Sequence, residues 1–230
     1  MPKNPPEPMK APDRAGGLRP GSLRPGGPVP VVRVPVGLVV LVGPPASGKT
    51  SFVRALVRLG RLDAEAVVSS DGIRTEPFGA SPGEAAPEAA DGQVFEQRDR
   101  RIVAGLAAGH GAVAESTNVT PQARARLIAV AGRFGAPVTA LRFDPGLADL
   151  LRQYTERGRT DLTAPEVRTC AAVMAREGGA DRLRSEGATA VHDVPGCREG
   201  VTPAEAATRF SFFRPARPGI LRYWVAFLTK

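Results

Sequence analysis

One stretch of the chain combines residue types and spacing that can hold a phosphate group. Residues 43–50 read G-P-P-A-S-G-K-T, with a lysine and a threonine directly after the second glycine. The glycines let the backbone curl so that N–H groups face inward, the lysine offers a cation, and the threonine hydroxyl offers a ligand for Mg²⁺. The expected nucleotide-binding residues are Gly43, Ala46, Ser47, Gly48, Lys49, Thr50 and Ser51.

The flanking segments favour this interpretation over a chance glycine-rich turn. The continuous apolar run at residues 36–42 predicts a buried strand, and the apolar residues within 52–57 recur at helical spacing. A helix that begins at the loop adds the positive end of its dipole to the phosphate site. Nucleotide binding is therefore the premise for the rest of the chain.

Composition sets the class of protein. A chain of 230 residues suits one α/β domain with extensions. Cys170 and Cys197 form no ligand or redox pair, which fits a reducing compartment, and neither His110 nor His192 has companions that would make it a ligand. No signal-peptide core and no membrane-spanning apolar run is visible, so we expect a cytoplasmic protein without a membrane partner.

The charge and the aromatic residues are concentrated toward the two ends. Residues 1–34 hold six basic and two acidic side chains, half of the net charge of +8, and are rich in proline and glycine. We expect a disordered tail there, which either binds nucleic acid or is simply solvated. Residues 35–197 are expected to form the nucleotide-binding domain. Residues 198–230 form an aromatic-rich extension that should pack on the domain or on a partner.

Four later segments, 64–69, 111–115, 138–143 and 188–194, also read as strands, and helical patterns separate them. Helix starts are expected at Thr120, followed by Pro121, and at the capping boxes that begin at Thr163 and Thr202. Five strands alternating with helices predict a three-layer α/β fold of the P-loop kinase-like type. We expect a five-stranded parallel sheet in the order 2-3-1-4-5, with a helical lid.

Polar residues follow the second and third strands, where the carboxyl ends of parallel strands meet the ligand crevice. Asp71 is a candidate general base, Arg74 a candidate ligand for an acceptor phosphate, and Glu115 a candidate to order water around Mg²⁺ together with Thr50. Arg157 and Arg159 lie in a polar segment between two helices, where they could close over the γ-phosphate as a lid.

Each of these candidates has a structural alternative. Asp71 could cap a turn, Arg74 could pair with Glu76 or Asp71, and Glu115 could accept backbone hydrogen bonds. The lid arginines could be solvated. The exposed-face interpretation is also preferred for Arg98, Arg100 and Arg101 in the helix predicted from Gln93 to Gly109.

Four motifs together, G-P-P-A-S-G-K-T, S-S-D-G-I-R, A-E-S-T-N-V-T-P-Q-A-R and R-G-R-T-D-L-T-A-P-E-V, resemble the polynucleotide kinase family of P-loop phosphotransferases. The closest resemblance is to the kinase module of bacterial RNA-repair enzymes, and it covers about residues 38–194. It implies that Asp71 is the general base and that Arg74 binds the acceptor phosphate. It also assigns the following residues to substrate or lid contacts: Thr117, Asn118, Arg124, Arg126, Arg157 and Arg159.

This chain departs from the family pattern at three points. Glu115 stands where similar kinases have an aspartate, and Gln153 and Tyr154 stand in place of an arginine-asparagine pair at the start of the lid. No phosphatase or ligase module follows, so a lone kinase domain is expected. These departures affect the assignment of the acceptor more than the prediction of nucleotide binding.

The leading functional hypothesis is an ATP- and Mg²⁺-dependent kinase whose acceptor is a hydroxyl, foremost the 5′-OH of RNA or DNA. A second hypothesis keeps the chemistry but takes a small-molecule acceptor, as in antibiotic phosphotransferases and the zeta-toxin kinases of nucleotide sugars. A third is a nucleotide-gated module that binds nucleic acid and transfers nothing. The sequence leaves the oligomeric state open.

Overall fold

The computed structural model describes residues 30–76, 87–158 and 162–212, with only the backbone described at 87–90. Strands and helices alternate along this part of the chain. The strands are Val32–Val34 (β1), Leu38–Val42 (β2), Val67–Ser69 (β3), Ala112–Glu115 (β4), Val138–Arg142 (β5), Ala190–Asp193 (β6) and Phe210–Phe212 (β7). The α-helices are Lys49–Arg58 (α1), Ser70–Arg74 (α2), Pro87–Ala107 (α3), Pro121–Gly132 (α4), Leu147–Arg157 (α5), Ala164–Glu177 (α6), Ala180–Ser185 (α7) and Pro203–Thr208 (α8).

Five strands form a parallel sheet in the order β3-β4-β2-β5-β6. Counted in chain order among these five strands alone, this is the predicted order 2-3-1-4-5. The labels differ because β1 precedes them in the chain and belongs to a separate two-stranded sheet. The predicted fold class is confirmed.

The central strand β2 explains why the sheet is covered on both faces. All five of its side chains are buried, as expected for a continuous apolar run in a parallel sheet. Leu38, Val40 and Val42 pack in one core with α3 and α4. Val39 and Leu41 point the other way, into a second core with α1 and α8. The phosphate loop therefore begins from the most buried strand of the molecule.

The small sheet corrects the predicted N-terminal tail. Val32–Val34, assigned to that tail, pairs in parallel with Phe210–Phe212. The apolar Val34 and Phe210 are buried there, and the Phe210 ring meets the Phe52 ring edge to face at 5.3 Å. Residues 1–29 and 213–230 lie outside the described part, so the rest of the predicted tail and the aromatic residues Phe213, Tyr223, Trp224 and Phe227 stay predictions.

Several local expectations also change. Residues 64–66 form a 3₁₀ turn before β3 rather than part of the strand, and α3 begins at Pro87 instead of Gln93. Arg98 is buried rather than solvated, because it lies one turn from both Val94 and Ile102 on the buried face of α3. Among the described residues, no helix has the length and apolar character needed to cross a membrane.

Candidate active site

The phosphate loop connects the end of β2 to the start of α1, as predicted. Ala46 and Gly48 adopt left-handed backbone conformations, with φ of 64° and 94°, which turn successive N–H groups inward. Gly43 has no space for a side chain, since a Cβ there would lie 2.7 Å from the carbonyl oxygen of Phe143. The N–H of Gly43 donates to the carbonyl of Thr117 at 2.9 Å, which fastens the loop to the segment after β4.

Lys49 lies buried across this loop. Its ammonium donates to the carbonyl oxygens of Gly43 and Pro44, at 2.8 and 2.6 Å, and to the Ser47 hydroxyl at 3.2 Å. Burial lowers the pKa of Lys49 to about 7, against opposing effects from the negative charges of Glu115 and Asp71. These two carboxylates therefore lie close enough to Lys49 to act on its charge, as the positions of Glu115 and Asp71 near strand ends predict.

Glu115 and Thr50 carry oxygen atoms of the type that Mg²⁺ binds. Glu115 ends β4 and is buried. Thr50 is the second residue of α1. A carboxylate and a hydroxyl suit Mg²⁺ chemically, because this ion binds few protein oxygens and completes its shell with water and phosphate. The described residues contain no cluster of three or more acidic, histidine or cysteine side chains that would indicate another metal.

The short helix α2 carries Asp71 and Arg74 at the edge of the crevice. Ser69, not Asp71, caps this helix, because the Ser69 hydroxyl accepts from the N–H of Gly72. Arg74 lies 3.6 Å from the Asp71 carboxylate and also donates to Asp91 of α3. The predicted alternative of an Arg74–Asp71 pair is thus present, whereas Glu76 binds Arg101 instead.

Two residues that the resemblance assigned to substrate lie inside the protein. Asn118 is 2% exposed, and its amide donates to the carbonyl of Leu41 at 2.9 Å. Arg124 is also 2% exposed and forms an ion pair with Glu186. Buried groups with these partners cannot reach a substrate, so the structure does not bring them to the crevice. Arg126 lies on the surface and pairs with Asp99.

The segment that was predicted as a lid lies between α5 and α6, and residues 159–161 of it are outside the described part of the chain. Leu150 of α5 and Val167 of α6 pack against Ala46 of the phosphate loop. Arg157, the last residue of α5, donates to the hydroxyl of Ser51 at 3.4 Å, and its charge reaches Lys49. The structure therefore brings Arg157 to the start of α1, while Arg159 lies outside the described residues.

A cavity of about 790 Å³ opens beside the phosphate loop and was not predicted. Ser47 and Gly48 line one part of it, the segments after β5 and β6 line a second, and the small sheet, with Val32 and Phe210, lines a third. Gln153 of α5 donates to the sulfur of Cys197 at 2.8 Å, and both residues line this cavity. Asp71 and Glu115 were located by the rule that the carboxyl ends of parallel strands meet at one edge of the sheet, and this rule also applies to β5 and β6. The same rule could therefore have indicated a cavity beside the ends of these two strands.

The fold and the loop geometry define a P-loop kinase-like domain. The chain belongs to the AAA_33 family, an AAA domain, whose model matches residues 38–183. No curated protein matches the chain significantly in sequence.

Solved structures share this fold at low sequence identity. A chain of the Pnkp1/Rnl/Hen1 RNA repair complex aligns with a TM-score of 0.51 at 18% identity, over 67% of this chain and 47% of that one. This chain therefore spans about half the length of that relative. A sugar kinase from Janibacter sp. HTCC2649 aligns with a TM-score of 0.53 at 15% identity, over 76% and 92%. The tunicamycin resistance protein of Deinococcus radiodurans aligns with a TM-score of 0.50 at 15% identity, over 75% and 92%.

Proposed function

We propose that this chain is a kinase that transfers the γ-phosphate of ATP, with Mg²⁺, to a hydroxyl group of an acceptor. The observation that carries the proposal is the phosphate loop between β2 and α1, with Lys49 buried across it and Arg157 hydrogen-bonded to Ser51 at the start of α1. Glu115 and Asp71 lie close enough to act on the charge of Lys49. A cation in the phosphate cradle, a metal-binding carboxylate, a base and an arginine are the parts that phosphoryl transfer requires.

The donor half of the reaction uses the loop and its neighbours. The N–H groups of residues 46–50 face the phosphates, and Lys49 exchanges its contacts with the loop carbonyls for contacts with phosphate oxygens. Thr50 and Glu115 would hold Mg²⁺, which when bound neutralises charge on the β- and γ-phosphates. Arg157 adds positive charge where the transferred group becomes more negative.

The acceptor half uses α2. Asp71 accepts the proton of the acceptor hydroxyl while the oxygen forms its bond to the γ-phosphorus. The bond from that phosphorus to the bridging oxygen breaks, and its electron pair leaves with ADP. Arg74, beside Asp71, suits an acceptor that carries a phosphate close to its hydroxyl, because a guanidinium binds phosphate with two parallel N–H donors.

The acceptor that we propose first is a 5′-OH nucleic-acid end, whose nearest phosphodiester would meet Arg74. One structural neighbour belongs to an RNA repair complex, which agrees with this choice, and another is a sugar kinase. A phosphorylated small molecule such as a nucleotide sugar satisfies Arg74 equally, so it is the second candidate.

An acceptor screen tests the proposal. Purified protein with γ-labelled ATP and Mg²⁺ is expected to label a 5′-OH oligonucleotide and not the matched 5′-phosphate oligonucleotide. Labelling of nucleotide sugars or drug hydroxyls alone would select the small-molecule alternative. ATP binding without transfer to any acceptor would reject the kinase and favour the nucleotide-gated binding module.

The Asp91→Asn variant tests whether Arg74 binds an acceptor phosphate. Asp91 holds the Arg74 guanidinium at an exposed position, so its carboxylate competes with an incoming phosphate. Exposed ion pairs of this kind contribute about 0.2–1 kcal/mol, so we expect the KM for the acceptor to fall by up to about five-fold. The KM for ATP should not change. A raised acceptor KM would mean that Asp91 serves only to hold Arg74 in place.

A further inference from the structure

The side chain of Arg124 uses all of its hydrogen-bond donors inside the protein. Its Nε and Nη2 donate to the two carboxylate oxygens of Glu186, at 2.6 and 2.8 Å. Burial alone would raise the pKa of Glu186, but the hydrogen bonds and charges of Arg124 and Arg182 outweigh it and lower the pKa. Glu186 therefore stays ionised at neutral pH, and the pair is a charged one.

The same guanidinium binds three backbone carbonyls. Nη1 donates to Asn118 and Val119, at 3.1 and 2.7 Å, and Nη2 donates to Glu177 at 2.9 Å. With Glu186 this accounts for all five N–H donors of an arginine. A lysine has three donors on a single nitrogen and cannot reproduce this planar arrangement.

The loop that Arg124 holds is in direct contact with the phosphate loop. Thr117 accepts the hydrogen bond from the N–H of Gly43, and the Asn118 side chain binds the carbonyl of Leu41 near the end of β2. Asn118 has a φ of 45°, a left-handed conformation that asparagine adopts more readily than other non-glycine residues. The two carbonyl contacts from Arg124, at Asn118 and Val119, hold the backbone of this segment in place.

Arg124 also contacts the C-terminal end of α6. Glu177 is the last residue of α6, and Val167 near the start of the same helix packs against Ala46 of the phosphate loop. The guanidinium therefore contacts two of the segments that border the phosphate loop, one at Asn118 and Val119 and the other at the end of α6. No sequence motif indicates this, because Glu186 and Glu177 are remote from Arg124 in the chain.

We propose that Arg124 is a positioning residue for the phosphate loop. It sets the conformation of residues 117–119 and the C-terminal end of α6, and through these two contacts it keeps residues 43–50 in the shape that binds triphosphate. The proposal rests on the binding of ATP at this loop, which is part of the proposed function. It replaces the role in substrate contact that the resemblance assigned to Arg124.

The test compares Arg124 with an arginine that is equally buried elsewhere. Arg98 of α3 is 1% exposed, and its hydrogen bonds and its ring contact, to Asp99 and Phe95, lie within α3. Arg124→Lys and Arg98→Lys should both lower the melting temperature. Only Arg124→Lys is expected to weaken MgATP binding, by about 10-fold to 100-fold, which is the usual effect of removing a group that holds the direct ligands of a site in place.

Binding is measured by titration calorimetry well below each melting temperature, with far-UV circular dichroism to confirm folding. Glu186→Gln, which keeps the size of the side chain and removes its charge, is expected to weaken MgATP binding by a smaller factor and serves if Arg124→Lys does not fold. Unchanged ATP affinity in the folded variants, or an equal loss in Arg98→Lys, would overturn the proposal. If the unaltered protein binds no ATP, the proposed function itself fails.

Discussion

Replacement of Asp71 by asparagine is expected to reduce phosphoryl transfer by about 10²- to 10⁴-fold, the usual contribution of a positioned general base. Asparagine keeps the size of the side chain and removes its capacity to accept the proton of the acceptor hydroxyl. ATP binding should remain, because Asp71 acts on Lys49 only as one of several surrounding charges. The rate of transfer and the affinity for ATP therefore respond differently to this substitution.

Single-turnover transfer and equilibrium binding of ATP separate the two effects. Glu76→Gln is the matched control, because Glu76 is an exposed carboxylate five positions further on that binds Arg101. It should transfer phosphate at the unaltered rate. If Asp71→Asn retains full transfer with a saturating acceptor, Asp71 is not the base.

Much of the fold was predictable because its signals are local. The apolar run before Gly43, the glycines of the loop and the helical spacing after it define β2 and α1 without reference to any other segment. The capping boxes at Thr163 and Thr202 are both present, with the hydroxyl and the glutamate side chain each satisfying a backbone N–H. Helix starts depend on residues within one turn, so sequence alone identifies them.

The small sheet was missed because its signal is not local. Val32–Val34 is too short and too close to a proline-rich segment to read as a strand. It becomes one because Phe210–Phe212 lies alongside it, with Phe210 packed between the strand and Phe52. Pairing between strands from the two ends of a domain depends on the packed core. No short stretch of sequence therefore contains the information needed to predict it.

In the candidate site, too, some residues were predictable from local sequence signals and others depend on partners that are distant in the chain. Lys49, Glu115 and Asp71 were predicted to meet because parallel strands deliver their carboxyl ends to one edge, a rule that needs only the strand positions. Arg124 was assigned to substrate by the family resemblance, and Arg98 was assigned to solvent because charged residues are usually exposed. Whether an arginine is buried depends on a partner, and for Arg124 that partner is Glu186, which no periodicity in the sequence associates with it.

Replacement of Lys49 by methionine is expected to reduce ATP affinity by at least about 100-fold. The ammonium would make two or more charge-assisted hydrogen bonds to phosphate, each worth about 1.5–3 kcal/mol, and methionine can make none. The measurement is equilibrium binding of MgATP, and Arg58→Met, near the far end of α1, is the control that should bind normally. ATP affinity within a few-fold of the unaltered protein in Lys49→Met would remove Lys49 from the phosphate site.

Proton uptake on ATP binding tests Lys49 in the unaltered protein. Its pKa of about 7 lies below the ordinary 10.5, so above pH 7 the side chain is mostly neutral before binding. Phosphate charges raise this pKa, so binding takes up a proton and ATP affinity falls as pH rises from about 7 to 9. Titration calorimetry in buffers of different ionisation enthalpy measures the uptake.

The Lys49→Arg variant is the control. Arginine keeps its charge throughout this pH range, so this variant should show no proton uptake at residue 49 on ATP binding. If the unaltered protein and Lys49→Arg show the same ATP affinity and the same proton uptake at pH 8, the pKa of Lys49 is not lowered.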